Sequence, residues 1–267
     1  LLKIDQYAYT NKLRSVHPAE KLAFALVALA FCLASSSRLT FLLVIFLMAG
    51  LVILLAGIPA LFYFKLMTVP MSFLVAGVLT VAFSFSRDAG SFWWGLPIGS
   101  YTVGVTAAGL EMAAGLFLKS LGAVSCLYFL SLTTPVVEIL AVLKKLRLPP
   151  LFIELMSLVY RFIFVLFETA GDIYMAQSSR WGYASVRTAY FSLGQLAANL
   201  FAKSYYKSRM LLITLAARGY NGELNVLAES GNLSRKNIFL IILAGLALLG
   251  VSLWSGDGRF FAGGGYR

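Results

Sequence analysis

The chain has 267 residues, 60% of them hydrophobic and only 12% charged, with a formal net charge of +11 and two cysteines. Soluble domains run nearer roughly 45–50% apolar, so an ordinary soluble domain is excluded, and recurring apolar runs of about 20 residues indicate a polytopic α-helical membrane protein. The basic residues flank those runs, which points to membrane orientation and to acidic lipid or an acidic protein partner, not to nucleic acid.

Residues 1–20 form a polar, tyrosine-bearing segment, expected on the cytoplasmic side and too polar for a cleavable signal peptide. Pro18 opens a helix, and the lone His17 before it reads as a polar residue at the helix entry. The next stretch, 21–133, is expected to hold four transmembrane helices. The first covers 21–34 and is short, closing on Ser35-Ser36-Ser37-Arg38; the second covers 39–56 and stops at Gly57-Ile58-Pro59. Residues 59–68 are too short to cross and are expected along the interface. A third span, 69–86, carries Pro70 in its first turn. The glycines and proline of 87–101 predict turns, with Trp93, Trp94 and Tyr101 at the membrane boundary. The fourth span, 103–132, contains Glu111 and Lys119, and charge at membrane depth needs a reason. They lie some 12 Å apart along the helix, too far for a direct pair. Cys32 and Cys126 sit inside apolar runs and read as small hydrophobes.

A helical cytoplasmic region is expected over 134–234. Residues 136–148 are amphipathic and end at Pro149-Pro150. The following helix, 151–178, is almost wholly apolar except for Glu154, Arg161, Glu168 and Asp172. A spacing of seven keeps the first three within about 20° of one line, a structural charge stripe of alternating sign suited to pairing between helices. Residues 185–217 repeat the theme with Arg187, Lys203, Lys207 and Arg209, and 221–232 are polar and turn-like. A last transmembrane helix, 235–256, and a flexible Gly-rich tail, 257–267, follow. The twelve basic residues from Lys144 to Lys236, with Lys3, Lys12, Arg14, Lys21 and Lys65, put the N-terminus inside. The expected fold is all-α: a bundle of about five transmembrane helices with long helices on the cytoplasmic side.

Two helices of this region close alike. Leu215-Ala216-Ala217-Arg218-Gly219-Tyr220 echoes Ser178-Ser179-Arg180-Trp181-Gly182-Tyr183: a small residue, an Arg, a Gly and a Tyr. Gly past a helix end supplies a left-handed cap, and a terminal Arg suits the negative pole of the helix. There is no G-x-x-x-x-G-K-[ST] loop, no H-E-x-x-H, no Cys/His cluster and no G-x-S-x-G. No catalytic, cofactor-binding or metal-ligating residue is expected.

The two closing motifs resemble those of the transmembrane T component of energy-coupling factor (ECF) transporters. There, two Ala-Arg-Gly motifs tip crossed coupling helices that dock on a pair of ATP-binding-cassette ATPases. The N-terminal stretch Ile4-Asp5-Gln6-Tyr7-Ala8-Tyr9-Thr10-Asn11, with Leu13-Arg14-Ser15-Val16-His17-Pro18-Ala19-Glu20-Lys21-Leu22, looks like the CbiQ branch, which serves cobalt uptake. Ala217-Arg218-Gly219 matches the motif outright. Ser179-Arg180-Trp181 has Ser for Ala and Trp for Gly, with Gly182 following. The resemblance implies a non-catalytic coupling subunit in the inner membrane, serving cobalt transport for cobalamin biosynthesis. Two CbiO-like ATPase subunits would hydrolyse ATP, and a CbiM-like membrane subunit, with a small CbiN-like accessory, would capture the ion. The alternative within the family is a T component for nickel or a vitamin, since specificity sits on another chain. The rival reading is a stand-alone membrane carrier or enzyme built on Glu111, Lys119 and the Glu154–Arg161–Glu168 stripe.

Overall fold

The computed structural model describes residues 2–86, 92–98 and 101–220, with 237, 241, 243, 245–247 and 250 beyond them. The chain divides into two compact units, Leu1–Pro135 with Ser230–Arg267, and Val136–Glu229. Both are built on helices, and the chain is a helical polytopic membrane protein with one small sheet in its first unit.

In the first unit α1 (Leu2–Thr10) leads through a short turn of helix, Lys12–Ser15, into α2 (Pro18–Ala34) and α3 (Arg38–Gly50). His17 Nδ1 accepts the Ala19 amide at 3.1 Å, so the lone histidine is the N-cap of α2, with Pro18 at the first helical position. The last turn of the α3 rod, Leu51–Leu55, widens to a π-helix. α4 (Ala60–Ala82) and α5 (Ala107–Thr133) complete the unit. α5 is its hub: α1, α2, α3 and α4 all pack on it. Between lipid-solvated helices small residues at the contact let backbones approach. Gly122 of α5 is such a residue, since a Cβ there would lie 2.8 Å from Cys32 Sγ of α2. Cys32 and Cys126 are free and buried, packed in the core with Val44, Met48 and Leu132.

Two sequence expectations are corrected here. Residues 59–68 are not a separate interfacial piece, because α4 runs unbroken from Ala60 through Pro70 to Ala82. Pro70 frees the carbonyl four residues back, that of Leu66, and the Tyr128 hydroxyl of α5 donates to it at 3.4 Å. Neighbouring side chains re-satisfying the backbone is how proline is tolerated within membrane helices. The third span also ends earlier than 86. Phe83–Ser86 (β1), Phe92–Ile98 (β2) and Tyr101–Thr106 (β3) form an antiparallel sheet in the order β1-β3-β2, with Phe83 opposite Val105 and Leu96 opposite Val103. The fourth span accordingly starts at Ala107, where Thr106 Oγ1 caps the helix by accepting the Gly109 amide.

The second unit contains α6 (Val136–Lys145), α7 (Pro150–Ser178) and α8 (Val186–Ala217). Ser185 and Thr188 form a reciprocal capping box at the start of α8. Among the described residues four helices are long and apolar enough to cross a membrane: Arg38–Leu55, Ala60–Val81, Gly109–Thr133 and Pro150–Ser178. α2, with 17 residues, is shorter than these. The expected last span, 235–256, lies largely outside the described residues; 237, 241, 243, 245–247 and 250 within it are helical.

Candidate functional site

The two echoing motifs fold into the same backbone frame, built from different letters. At the end of α7 the Gly182 amide donates to Gln177 O at 2.9 Å and the Trp181 amide to Ser178 O at 3.1 Å. At the end of α8 the Tyr220 amide donates to Leu215 O at 3.0 Å and the Gly219 amide to Ala216 O at 3.1 Å. These are the paired six-to-one and five-to-two bonds of a Schellman cap, which need one left-handed residue. Gly219 supplies it with φ 73° and Trp181 with φ 60°. Arg180 and Arg218 thus hold the same position, immediately before the left-handed residue. Both arginines are exposed, as are Ser179 and Ala217.

The expectation that Gly182 is the left-handed cap of the first motif is therefore corrected. Gly182 lies one residue beyond, and its lack of a side chain serves proximity. A Cβ there would stand 2.8 Å from both Gln177 O and Ser192 Oγ. Ser192 of α8 is buried and donates its hydroxyl to Gly182 O at 2.8 Å, while its own carbonyl accepts the Gln177 side-chain amide at 3.0 Å. Tyr183 donates to Gln177 Oε1 at 2.8 Å and its ring lies 4.7 Å from that of Tyr174. The first tip is thus bolted to the start of α8. Tyr183 closes the first echo motif, but Gln177 and Ser192 belong to no motif in the sequence; the signal available there is Ser185-x-x-Thr188, which marks a helix starting close by.

Trp181 sits left-handed with 80% of its surface exposed, a conformation that costs a non-Gly residue about 1–2 kcal/mol. Trp181→Gly is expected to raise unfolding free energy by about 0.5–1 kcal/mol, the strain relieved less the glycine's larger unfolded entropy. Thermal melting of the detergent-solubilised chain measures this; a lower melting temperature would mean that the indole's contacts hold the turn.

The charge stripe is placed as follows. Arg161 and Glu168 are exposed and Glu154 is half-buried. Glu154 accepts the Tyr220 hydroxyl at 2.9 Å, which ties the start of α7 to the second tip. The carboxylate beside it raises the Tyr220 hydroxyl above its ordinary range. The contact is therefore fully present at neutral pH and lost only as pH climbs through that raised value. Next in the chain to Glu168, Thr169 receives the Lys207 ammonium of α8 at 3.0 Å. In the first unit Glu111 pairs with Arg38 at 3.5 Å, both largely exposed. Of the groups on which a carrier would be built, Glu111 and Lys119 belong to the first unit and the stripe to the second. Among the described residues no cluster of three or more His, Cys, Asp or Glu could hold a metal ion.

A family model described as CbiQ, cobalt transport protein, matches residues 10–227. The chain is 33% identical over 225 residues to the cobalt transport protein CbiQ of Salmonella typhimurium, covering 84% of this chain and 99% of that one. It is 29% identical over 249 residues to the protein of the same name in Rhodobacter capsulatus, covering 93% and 97%. A protein of Methanocorpusculum labreanum, named as a fused cobalt transport protein CbiMQ, is 30% identical over 249 residues, covering 92% of this chain and 41% of its own length.

Proposed function

The chain belongs to the CbiQ family of cobalt transport proteins, and on that premise we propose that it is the coupling subunit of an ECF-type ABC importer for cobalt ions. In this reading Arg180 and Arg218 dock on two CbiO-like ATPase subunits. The motion of those subunits passes through α7 and α8 to a CbiM-like membrane subunit that captures the ion, with a CbiN-like accessory. The observation that carries it is the pair of helix ends with one hydrogen-bond frame, each presenting an exposed arginine at the same position. A planar guanidinium suits bidentate capture by a carboxylate on another protein. The fused CbiMQ relative supports a partner of the CbiM kind. This chain's part is mechanical and not catalytic, and it holds neither cofactor nor metal.

Co-purification tests the assignment: the tagged chain should bring an ATPase pair through detergent washing. A chain that supports cobalt uptake without ATPases would refute it.

The N-terminus is assigned to the cytoplasm of the inner membrane, with 134–234 on the same side. Because Cys32 and Cys126 are buried, introduced cysteines report alone. Ser91→Cys and Gly264→Cys should react with an impermeant reagent from outside, and Asn225→Cys should not. Lys145→Cys and Ser185→Cys flank α7, which is long and apolar enough to cross, and both are expected to be protected in intact cells. Labelling of one of these two would show that α7 spans the membrane.

A further inference from the structure

The last four carbonyls of a helix have no partner within it, and they form its negative pole. At the end of α5 this need is met from the N-terminal segment. Lys21 of α2, only 3% exposed, donates its ammonium to Thr133 O at 3.0 Å. Asn11, 7% exposed, places its side-chain amide 3.3 Å from Thr133 O and 3.5 Å from Leu132 O. The same nitrogen closes α1, lying 2.6 Å from Ala8 O and 3.1 Å from Tyr7 O. One amide thus joins the C-terminal ends of two helices. Next to it the Lys12 amide donates to Ala56 O at 3.1 Å, fastening the segment to the turn before α4. Asn11 is kept for its donors alone, because its Oδ1 is buried with no hydrogen-bond partner, a cost that needs a reason.

What these groups hold is the exit of the chain from the first unit. Thr133, Thr134 and Pro135 are buried, Thr134 is extended with φ −132° and ψ 115° as a residue before proline must be, and the second unit begins at Val136. Both arginine tips lie beyond that point. We propose that Lys21 and Asn11 are positioning residues of the transport cycle: they lock the closing turn of α5, so that displacement of the arginine-tipped unit is passed into the membrane helices and not absorbed at the junction. This rests on the coupling reading above.

The test uses the whole transporter, with ATPases and ion-capturing subunit, carrying Asn11→Ala or Lys21→Met; Thr10→Ala, exposed and one residue from Asn11, is the control. The expected result is retention of the ATPases and of ATP hydrolysis. Cobalt transported per ATP should fall by about ten-fold or more for Lys21→Met, the scale of a buried hydrogen bond from a charged group, and by about three- to ten-fold for Asn11→Ala, whose amide is neutral. Amide exchange over residues 130–134 should quicken while that of α3 stays unchanged. A purely structural role would lower yield but leave transport per ATP intact in the complexes that form. Folded, ATPase-bound variants transporting at the wild-type ratio would overturn the proposal, as would unchanged exchange at 130–134. Should Lys21→Met fail to assemble, Asn11→Ala decides, because it keeps the buried ammonium; if neither assembles, the residues serve folding alone and the proposal falls. A wild-type chain that holds no ATPases would instead sink the coupling reading, and the exchange data would still report on the lock by itself.

Discussion

Arg218→Ala is expected to weaken ATPase docking by roughly thirty-fold or more while leaving the chain folded. Two magnitudes separate the readings. An exposed arginine that only complements a helix end contributes about 0.3–1 kcal/mol, and lysine replaces it nearly as well. An arginine inserted in a partner's groove and paired with a carboxylate costs on the order of 2–5 kcal/mol when truncated, at about 1.4 kcal/mol per decade of affinity. Its planar fork is not matched by lysine, so Arg218→Lys should also dock poorly. Since Arg180 occupies the same place in the other cap, Arg180→Ala should act alike, and the double variant should be worse than either. The measurements are retention of the ATPases through washing and cobalt uptake per ATP. Should both alanine variants hold the ATPases and transport at the wild-type rate, the arginines are helix caps and no more.

Gly182→Ala is expected to produce the second large effect, a loss of about 1–3 kcal/mol from forcing a methyl into a packed site. The added Cβ would meet Gln177 O and Ser192 Oγ at 2.8 Å, and the first of these is backbone that cannot turn aside. Gly219→Ala is the matched comparison. There a Cβ meets nothing within 4 Å, so the penalty is the left-handed backbone alone, about 1–2 kcal/mol. Docking through Arg180 should fail in the Gly182 variant with Arg218 docking preserved. Denaturant unfolding with ATPase capture measures both, and a Gly182→Ala chain as stable as wild type would show that the turn opens freely.

The helical plan and the two motifs were legible in the sequence because each rests on local chemistry: long apolar runs, Pro18 after a polar entry, and an arginine beside a glycine at a helix end. What sequence could not show rests on partners far along the chain. α4 reads as broken at Pro70 until Tyr128, from another helix, takes up the Leu66 carbonyl. The turn residues of 87–101 were visible, but β2 contains Gly95 and Pro97, which hide its strand pattern until the pairing with β3 is seen. In the first motif the letters suggest a glycine cap, whereas Trp181 takes the left-handed place because Gly182 is needed one step on, against Ser192. The seven-residue spacing of the stripe was plain, but Tyr220 as the companion of Glu154 was not.

The bolt at Ser192 gives α8 the mechanics of a lever. Ser192 is the buried residue of that helix, and beyond it the rod runs to Ala217, a length of roughly 38 Å at 1.5 Å per residue. Its further ties to α7 are Lys207, through a long pliant stem, and the Tyr220–Glu154 bond at the tip itself, which such a swing would release. A swing of about 10° at the fulcrum carries the Arg218 end through roughly 6–7 Å over such an arm. A hydrogen bond tolerates only a few tenths of an ångström about its length of roughly 2.9 Å. On the coupling reading, a small rotation where the two helices meet would therefore suffice to seat or unseat the arginine at the far end.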